Sequence, residues 1–201
     1  MVFDYNLYSE NTDKGGTSDS GSFGQLAHFK AEVVRGLVMH YRIARVMEFG
    51  CGDGHQLSLM NYPTYLGLDV SPAAVSMCAS KFASDSTKSF MLYRPGCFYN
   101  NGFLKADMTI CLEALDSITD DAEFLATLQD LFKPNPRLIV LYTRIASRSE
   151  SSSVETNRNR DIMAVLATFP AYAVKEIIPQ RYPAMSSADF IVLERKNQLF
   201  S

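Results

Sequence analysis

Residues 46–59 read VMEFGCGDGHQLSL, an apolar run that ends in Glu48 and continues through Gly50, Gly52 and Gly54. The apolar run predicts a strand, and the residues after the last glycine predict the start of a helix. Glycine suits such a turn because the backbone must bend tightly and approach a ligand without a Cβ atom in the way. Amide groups at the start of the helix would face that ligand, so the segment predicts a ligand-binding turn.

The spacing of the glycines separates two classes of nucleotide cofactor. A nicotinamide-cofactor fingerprint reads GxGxxG. Here the glycines fall as GxGxG, and His55 occupies the position of the last glycine of that fingerprint. The spacing therefore disfavours a nicotinamide oxidoreductase, which stays open as an alternative function.

A second candidate motif follows at the end of the next apolar run. Asp69 stands in YLGLDVSP, nineteen residues after Gly50. An acidic side chain at the carboxyl end of that strand can accept hydrogen bonds from both hydroxyls of a ribose. The alternative is that Asp69 caps a helix beginning near Ser71 and Pro72, but the glycine turn upstream favours the ligand-binding role.

Short apolar or alternating runs bounded by turn residues predict seven strands. They are ARVMEFG (44–50), TYLGLDV (64–70), SFMLY (89–93), ADMTICLEAL (106–115), RLIVLYT (137–143), AYAVKEII (171–178) and ADFIVLE (188–194). Helical patterns cover residues 23–41, 54–61, 72–84, 120–133 and 158–168. Strands that alternate with helices indicate a mostly parallel sheet covered on both faces.

The fold predicted from this pattern is an α/β, Rossmann-like, doubly wound domain with a seven-stranded sheet. Only PQRYPAMSS separates the last two strands, which is too short for a crossover helix, so we expect the last strand to be antiparallel. The domain is expected to span residues 22–201. Residues 1–21 are polar and lack a period, which is typical of an irregular arm.

Composition and charge bear on the partners and the cellular compartment of the chain. Its 201 residues carry a net charge of −3 with scattered basic residues, which argues against a nucleic-acid partner. The apolar runs are too short to cross a bilayer, and the first residues do not form a secretory signal, so no membrane association is expected. Cysteines 51, 78, 97 and 111 lack metal-ligand spacing. We read them as reduced thiols and expect a cytoplasmic protein.

Three segments resemble the successive motifs of class I methyltransferases that use S-adenosylmethionine (SAM). They are EFGCGDG at 48–54, GLDVSP at 67–72 and ADMTICLEALDSITDD at 106–121. The resemblance implies SAM as the cofactor, with the methionine end and ribose held by the first two motifs and with Leu112 and Glu113 near the sulfonium.

The sequence departs from the family pattern after the third strand, where many relatives carry an acid for the adenine amino group. Tyr93 stands there instead, and either Tyr93 or backbone groups become the candidate adenine contacts. Lys30 falls on the apolar stripe of the first predicted helix, where it could pair with the methionine carboxylate or simply extend its amine to solvent. The predicted cofactor contacts are Lys30, Glu48, Gly50, Cys51, Gly52, Asp53, Asp69, Val70, Tyr93, Leu112 and Glu113.

A narrower resemblance joins GSFGQLAHFKAEVV at 21–34 to the segment at 49–78. This combination is similar to methyltransferases of glycan assembly, including the C-terminal methyltransferase domain of a multidomain glycosyltransferase from large algal viruses (chloroviruses). The resemblance implies O-methylation of a terminal deoxyhexose such as rhamnose. It also implies a sugar or glycan acceptor, a glycosyltransferase domain in the same chain and, for a viral protein, the host cytoplasm.

The catalytic base is harder to identify, because a histidine that often follows CLxxL in this family is replaced by Asp116 and Ser117. A sugar hydroxyl is a poor nucleophile, so a base beside it is expected. Asp116 is the first candidate, with a solvated turn residue as the alternative. His55 is the second, with a surface position as the alternative.

No metal site is predicted, because Asp120 and Asp121 are better explained as acids at a helix N-terminus. Two other functions stay open beside sugar methylation. One is methylation of a small carboxylate or phosphonate metabolite. The other is a non-catalytic SAM-binding domain, which the missing histidine would explain.

Overall fold

Seven strands form one sheet in the computed structural model of the protein, which describes residues 24–145 and 160–196. In chain order they are β1 (Arg45–Phe49), β2 (Thr64–Asp69), β3 (Lys88–Leu92), β4 (Met108–Leu112), β5 (Leu138–Arg144), β6 (Tyr172–Ile178) and β7 (Ala188–Arg195). The strand order is β3-β2-β1-β4-β5-β7-β6. Strands β1 to β5 are parallel, and β7 runs antiparallel to both β5 and β6. The predicted Rossmann-like fold with an antiparallel last strand is confirmed.

Helices connect the strands and cover the two faces of the sheet. They are α1 (Gly24–Tyr41), α2 (His55–Ser58), α3 (Pro72–Lys81), α4 (Ala114–Ser117), α5 (Asp121–Phe132) and α6 (Ile162–Leu166). The arm predicted for residues 1–21 and the start of the helix predicted from 158 lie outside the described residues.

Helix α2 is shorter than the predicted segment 54–61. After Ser58 the backbone tightens, since the amides of Leu59 and Met60 donate to carbonyls only three residues back. Pro63 follows closely, and a proline both lacks a donor and disfavours helical backbone in the residue before it. The chain therefore leaves the helix after one turn and enters β2.

Both faces of the sheet are buried, which the alternation along β5 shows directly. Leu138, Val140 and Tyr142 belong to the apolar cluster under α1, whereas Ile139 and Leu141 belong to the cluster under α5. Because each face has its own apolar cluster, this strand is buried from Leu138 to Thr143, and only Arg144 at its end is partly exposed.

The direction of chain progression reverses between β1 and β4, which lie side by side at the centre of the sheet. In open α/β sheets, connections leaving such a pair of strands turn to opposite faces and open a crevice at their carboxyl ends. The strand order thus places a crevice directly after Phe49 and Leu112.

Helix α1 closes one side of this crevice by packing on the late strands. Phe29 makes edge-on contacts with Phe190 of β7, at 5.7 Å between ring centroids, and with Tyr182 of the β6–β7 connection, at 6.3 Å. Arg181 donates two hydrogen bonds to Glu32, at 2.7 and 2.9 Å. These contacts fix the helix so that Lys30 points into the protein interior.

Candidate functional site

A cavity lies at the carboxyl ends of β1, β2 and β4, and it encloses about 1170 Å³ when its open mouth is included. All eleven residues predicted as cofactor contacts line it: Lys30, Glu48, Gly50, Cys51, Gly52, Asp53, Asp69, Val70, Tyr93, Leu112 and Glu113. The structure therefore brings the predicted residues together, while their binding of a ligand stays a prediction.

The glycine turn forms the floor of the cavity by direct contact with the segment after β4. Gly50 has φ +85°, and a Cβ atom on it would stand 2.3 Å from the Cβ of Ala114. The amides of Gly50 and Cys51 both donate to the carbonyl of Leu68, at 2.7 and 3.1 Å. Only glycine satisfies both the backbone conformation and the close approach.

Asp69 ties the end of β2 to the same turn. Its carboxylate accepts hydrogen bonds from the amides of Gly52, at 2.8 Å, and Ser71, at 2.9 Å. Burial raises the pKa of Asp69, and these amide bonds oppose the shift. The hydroxyl of Ser71, not Asp69, caps α3 by accepting from the amide of Ala74. The capping role considered for Asp69 is thus filled by its neighbour.

Glu48 is a buried carboxyl group at the cavity wall, with 4% of its surface exposed. The hydroxyl of Tyr65 donates to it at 2.5 Å. Burial raises the pKa of Glu48 to about 7, because removal of the carboxylate from water outweighs the opposing effects of Tyr65 and Lys30. The charge of this wall therefore changes near neutral pH.

Lys30 forms an ion pair across the cavity wall. Its Nζ atom lies 2.7 Å from Oε2 of Glu113, and the side chains are 1% and 21% exposed, respectively. The ammonium also lies 5.4 Å from the ring centroid of Tyr142. Lys30 therefore pairs with an anion inside the protein, the carboxylate of Glu113. Its pairing with a ligand carboxylate stays a prediction.

Tyr93 lines the opposite part of the cavity, where its hydroxyl already has a partner. It donates to Oδ2 of the buried Asp130 at 2.6 Å, and the amide of Gly96 donates to the same oxygen at 2.9 Å. Burial, and then the bond to Asp130, raise the pKa of Tyr93. The hydroxyl of Tyr93 is therefore already engaged within the protein.

Gln56 is a lining residue that the sequence analysis missed. Its Nε2 atom donates to the carbonyl of Ala27 at 3.0 Å, whereas its buried Oε1 atom has no hydrogen-bond partner among residues 24–145 and 160–196. A buried carbonyl oxygen left unpaired is costly, so this atom is suited to accept from a bound ligand. The signal in the sequence was a polar residue two positions after the last glycine.

The two predicted catalytic residues, Asp116 and His55, are not among the residues that line the cavity. The hydroxyl of Thr143 donates to Asp116 at 2.5 Å, and Nε of Arg144 lies 3.8 Å from its other oxygen. His55 begins α2, and its amide donates to Asp53. Their catalytic roles stay predictions.

Within residues 24–145 and 160–196, no three His, Cys, Asp or Glu side chains converge as a metal ion would require. No helix within the same ranges has the length and apolarity needed to cross a bilayer.

Comparison with known proteins gives one family and many related folds. The family described as "Methyltransferase domain" matches residues 15–180. A search among curated proteins finds no match.

Three solved structures illustrate the likeness of fold. Magnesium protoporphyrin IX methyltransferase (ChlM) from Synechocystis PCC 6803 with bound SAM is 15% identical, covers 98% of this chain and 99% of its own, and has a TM-score of 0.68. SAM-bound CalS10, an amino pentose methyltransferase from Micromonospora echinaspora, is 15% identical with 98% of each chain covered and a TM-score of 0.68. The methyltransferase domain of bacterial CtHen1 is 17% identical, covers 84% of this chain and 97% of its own, and has a TM-score of 0.65.

Replacement of Gly50 tests the close approach at the floor of the cavity. Gly50→Ala is expected to lower the free energy of unfolding by about 3 kcal/mol, because strain at positive φ adds to the clash with Ala114. Gly102 has the same φ of +85° with open space around it. Gly102→Ala should therefore cost only about 1 kcal/mol. Urea unfolding of both variants measures the difference, and equal losses would contradict the steric role of Gly50.

The raised pKa of Glu48 predicts a pH-dependent stability. Between the ordinary value of 4.5 and about 7, the folded state keeps a proton that the unfolded chain releases. Stability contributed by this proton is present below pH 4.5 and is lost as pH rises through about 7, by about 3 kcal/mol. Glu48→Gln should remove this part of the curve in urea unfolding at several pH values.

Glu194→Gln is the control for this experiment, because Lys175 lowers the pKa of Glu194 and its contribution has the opposite sign. Identical pH curves for the wild type and Glu48→Gln would show that Glu48 does not titrate in this window.

Proposed function

Because this chain belongs to the methyltransferase-domain family, it is a methyltransferase that uses SAM, and we propose that it methylates a sugar hydroxyl. The proposed acceptor is a terminal deoxyhexose of a glycan, with rhamnose as the first sugar to test. The observation that carries the proposal is the cavity itself, which combines a glycine floor, a ribose-type acid and an excess of negative charge.

The residues of the cavity fit SAM as a ligand. Asp69, at the carboxyl end of β2, is the kind of acid that holds a ribose in such folds, and the amide of Gly52 fixes its carboxylate at the cavity. Gln56 keeps a buried oxygen without a partner among the described residues, which suits a donor such as the amino group of the methionine part. SAM supplies a methyl group already activated by the sulfonium, so the protein mainly has to hold and orient the acceptor beside it.

Charge favours a neutral acceptor over an anionic one. Of the described residues that line the cavity, five are acidic (Glu48, Asp53, Asp69, Glu113 and Glu123), and one, Lys30, is basic. The ammonium of Lys30 already faces Glu113. Carboxylates accept hydrogen bonds from sugar hydroxyls but repel carboxylates, phosphonates and nucleic-acid phosphates. Most of these carboxylates are also predicted contacts of SAM, so the argument applies to those that remain beside the acceptor, where they favour a polyol over a small anionic metabolite.

Two further observations support a sugar. The segments at 21–34 and 49–78 resemble methyltransferases of glycan assembly, and those relatives include a domain attached to a glycosyltransferase. CalS10, which shares the fold over nearly its whole length, acts on an amino pentose. In a longer polypeptide, a glycosyltransferase domain beside this one would be the natural source of the acceptor.

The role of Asp69 can be measured by calorimetric titration of SAM and S-adenosylhomocysteine. Asp69→Asn is expected to weaken both ligands by about 10- to 100-fold, because charge-assisted hydrogen bonds to the ribose are lost. Asp107→Asn is the matched control. Asp107 directly precedes β4, so it lies at the amino ends of the strands, opposite to the cavity, where it pairs with Arg45. Equal affinities in wild type and Asp69→Asn would place the ribose elsewhere.

The acceptor class is tested with a panel of methyl glycosides, namely those of L-rhamnose, L-fucose, D-xylose and D-glucose. Release of S-adenosylhomocysteine above the rate without acceptor, with a mass gain of one methylene in the sugar, is the expected result for at least the rhamnoside. SAM binding without turnover on any glycoside would instead support the non-catalytic domain. Turnover only on carboxylate or phosphonate compounds would support the anionic alternative.

A further inference from the structure

Glu113 adopts a backbone conformation that glutamate normally avoids. Among the described residues, three that are not glycine have positive φ: Arg42, Glu113 and Asn135. Arg42 directly follows α1, and Asn135 lies shortly after α5, where left-handed backbone commonly ends a helix. Glu113, with φ +74°, instead follows a strand and lines the cavity. Such strain costs about 1–2 kcal/mol and is found mostly at functional sites.

The ion pair between Lys30 and Glu113 is also not expected to stabilise the fold. Lys30 is almost completely buried, and its ion pair with Glu113 lies 2.7 Å across two elements that are 83 residues apart in the chain. Replacing a buried ion pair with apolar residues is often neutral or stabilising. Neither the strain nor the pair is therefore explained by stability, and both meet at one carboxylate on the cavity wall.

We propose that Glu113 is the catalytic base that takes the proton of the acceptor hydroxyl, and that Lys30 is the positioning residue that holds its carboxylate. This inference rests on the proposed function. It assigns to Glu113 the role that the sequence analysis gave to Asp116 or His55, neither of which lines the cavity.

The step balances without a further reactant. The acceptor oxygen forms a bond to the methyl carbon as the carbon–sulfur bond of SAM breaks, and the bonding electron pair stays on sulfur. The hydroxyl proton passes to the carboxylate of Glu113. The products are the methyl ether, S-adenosylhomocysteine and a protonated Glu113 that returns its proton to water through the open mouth of the cavity.

Glu113 lies between Lys30 and the ligand space. The hydrogen bond from Lys30 reaches Oε2 of its carboxylate, and the residue lines the cavity. The side chain is 21% exposed, whereas the ammonium behind it is buried between Glu113 and the ring of Tyr142. The hydrogen bond from Lys30 fixes the direction of the carboxylate, and the exposed part of Glu113 faces the ligand space.

The decisive variant is Glu113→Gln, which keeps the shape of the side chain and an oxygen for Lys30. With the sugar accepted by the wild type, kcat should fall by about 100-fold or more, while the dissociation constant of SAM changes by less than about tenfold. Glu194→Gln is the matched control, because Glu194 is also paired to a lysine but lies outside the cavity lining. It should keep the wild-type kcat.

Lys30→Met tests the positioning role. It should lower kcat as well, and the double variant with Glu113→Gln should be little slower than Glu113→Gln alone, because the two residues act as a unit. If Lys30 has only a structural role, the fold losses in kcat of the two single variants should multiply in the double variant. The double variant Lys30→Met, Glu113→Gly also removes the backbone strain at residue 113. It should unfold at or above the wild-type temperature and be inactive.

The outcomes separate this inference from the proposed function. No turnover by the wild type on any glycoside overturns the proposed function, and the base assignment with it. Turnover by the wild type together with a Glu113→Gln kcat within threefold of it overturns only the base assignment. Unfolding of the Lys30→Met, Glu113→Gly variant would show that the pair is structural and would also overturn the assignment.

Discussion

The packing of Gly50 against Ala114 is the constraint on which the site depends. It brings the turn after β1 within van der Waals reach of the turn after β4, and the carbonyl of Leu68 joins the end of β2 to the turn after β1 through the amides of Gly50 and Cys51. Asp69 adds a further tie to the amide of Gly52. Three strand ends therefore form one rigid rim, and side chains from distant parts of the chain converge there.

Around this rim the protein keeps buried charges that folding alone would not select. Glu48 and Asp69 both have raised pKa values because burial disfavours their ionised forms. Lys30 is buried beside them, and Glu113 holds a strained backbone. Buried ionisable groups and local strain cluster at functional sites, where they are useful for binding and chemistry rather than for stability. The cavity is thus a region where stability is given up for a pre-arranged set of carboxylates.

The sequence was informative wherever chemistry is local. The glycine spacing around Gly50 predicted the turn after β1, and Asp69 was predicted as the acid at the end of β2. The short segment after Ile178 predicted the antiparallel last strand. Long-range pairs could not be predicted in the same way. The apolar stripe showed that Lys30 is buried, but nothing local named Glu113 as its partner.

Spacing alone also does not show which residue after β4 faces the cavity. Asp116 stands three residues after Glu113, and the short helix α4 turns it away from the cavity toward Thr143 and Arg144. The stop of α2 after Ser58 likewise depends on the tight turn toward β2 rather than on helical propensity. Which residue of a loop faces a site is decided by how the loop packs, and a pattern of residue types does not contain that information.

The most direct test of the account is a crystal structure of the protein with S-adenosylhomocysteine. The account predicts the ligand in the cavity after β1, with its ribose on Asp69, its backbone contacts at the glycine turn, and Glu113 beside the sulfur on the side open to an acceptor. Ligand bound elsewhere, or a ribose held without Asp69, would contradict it.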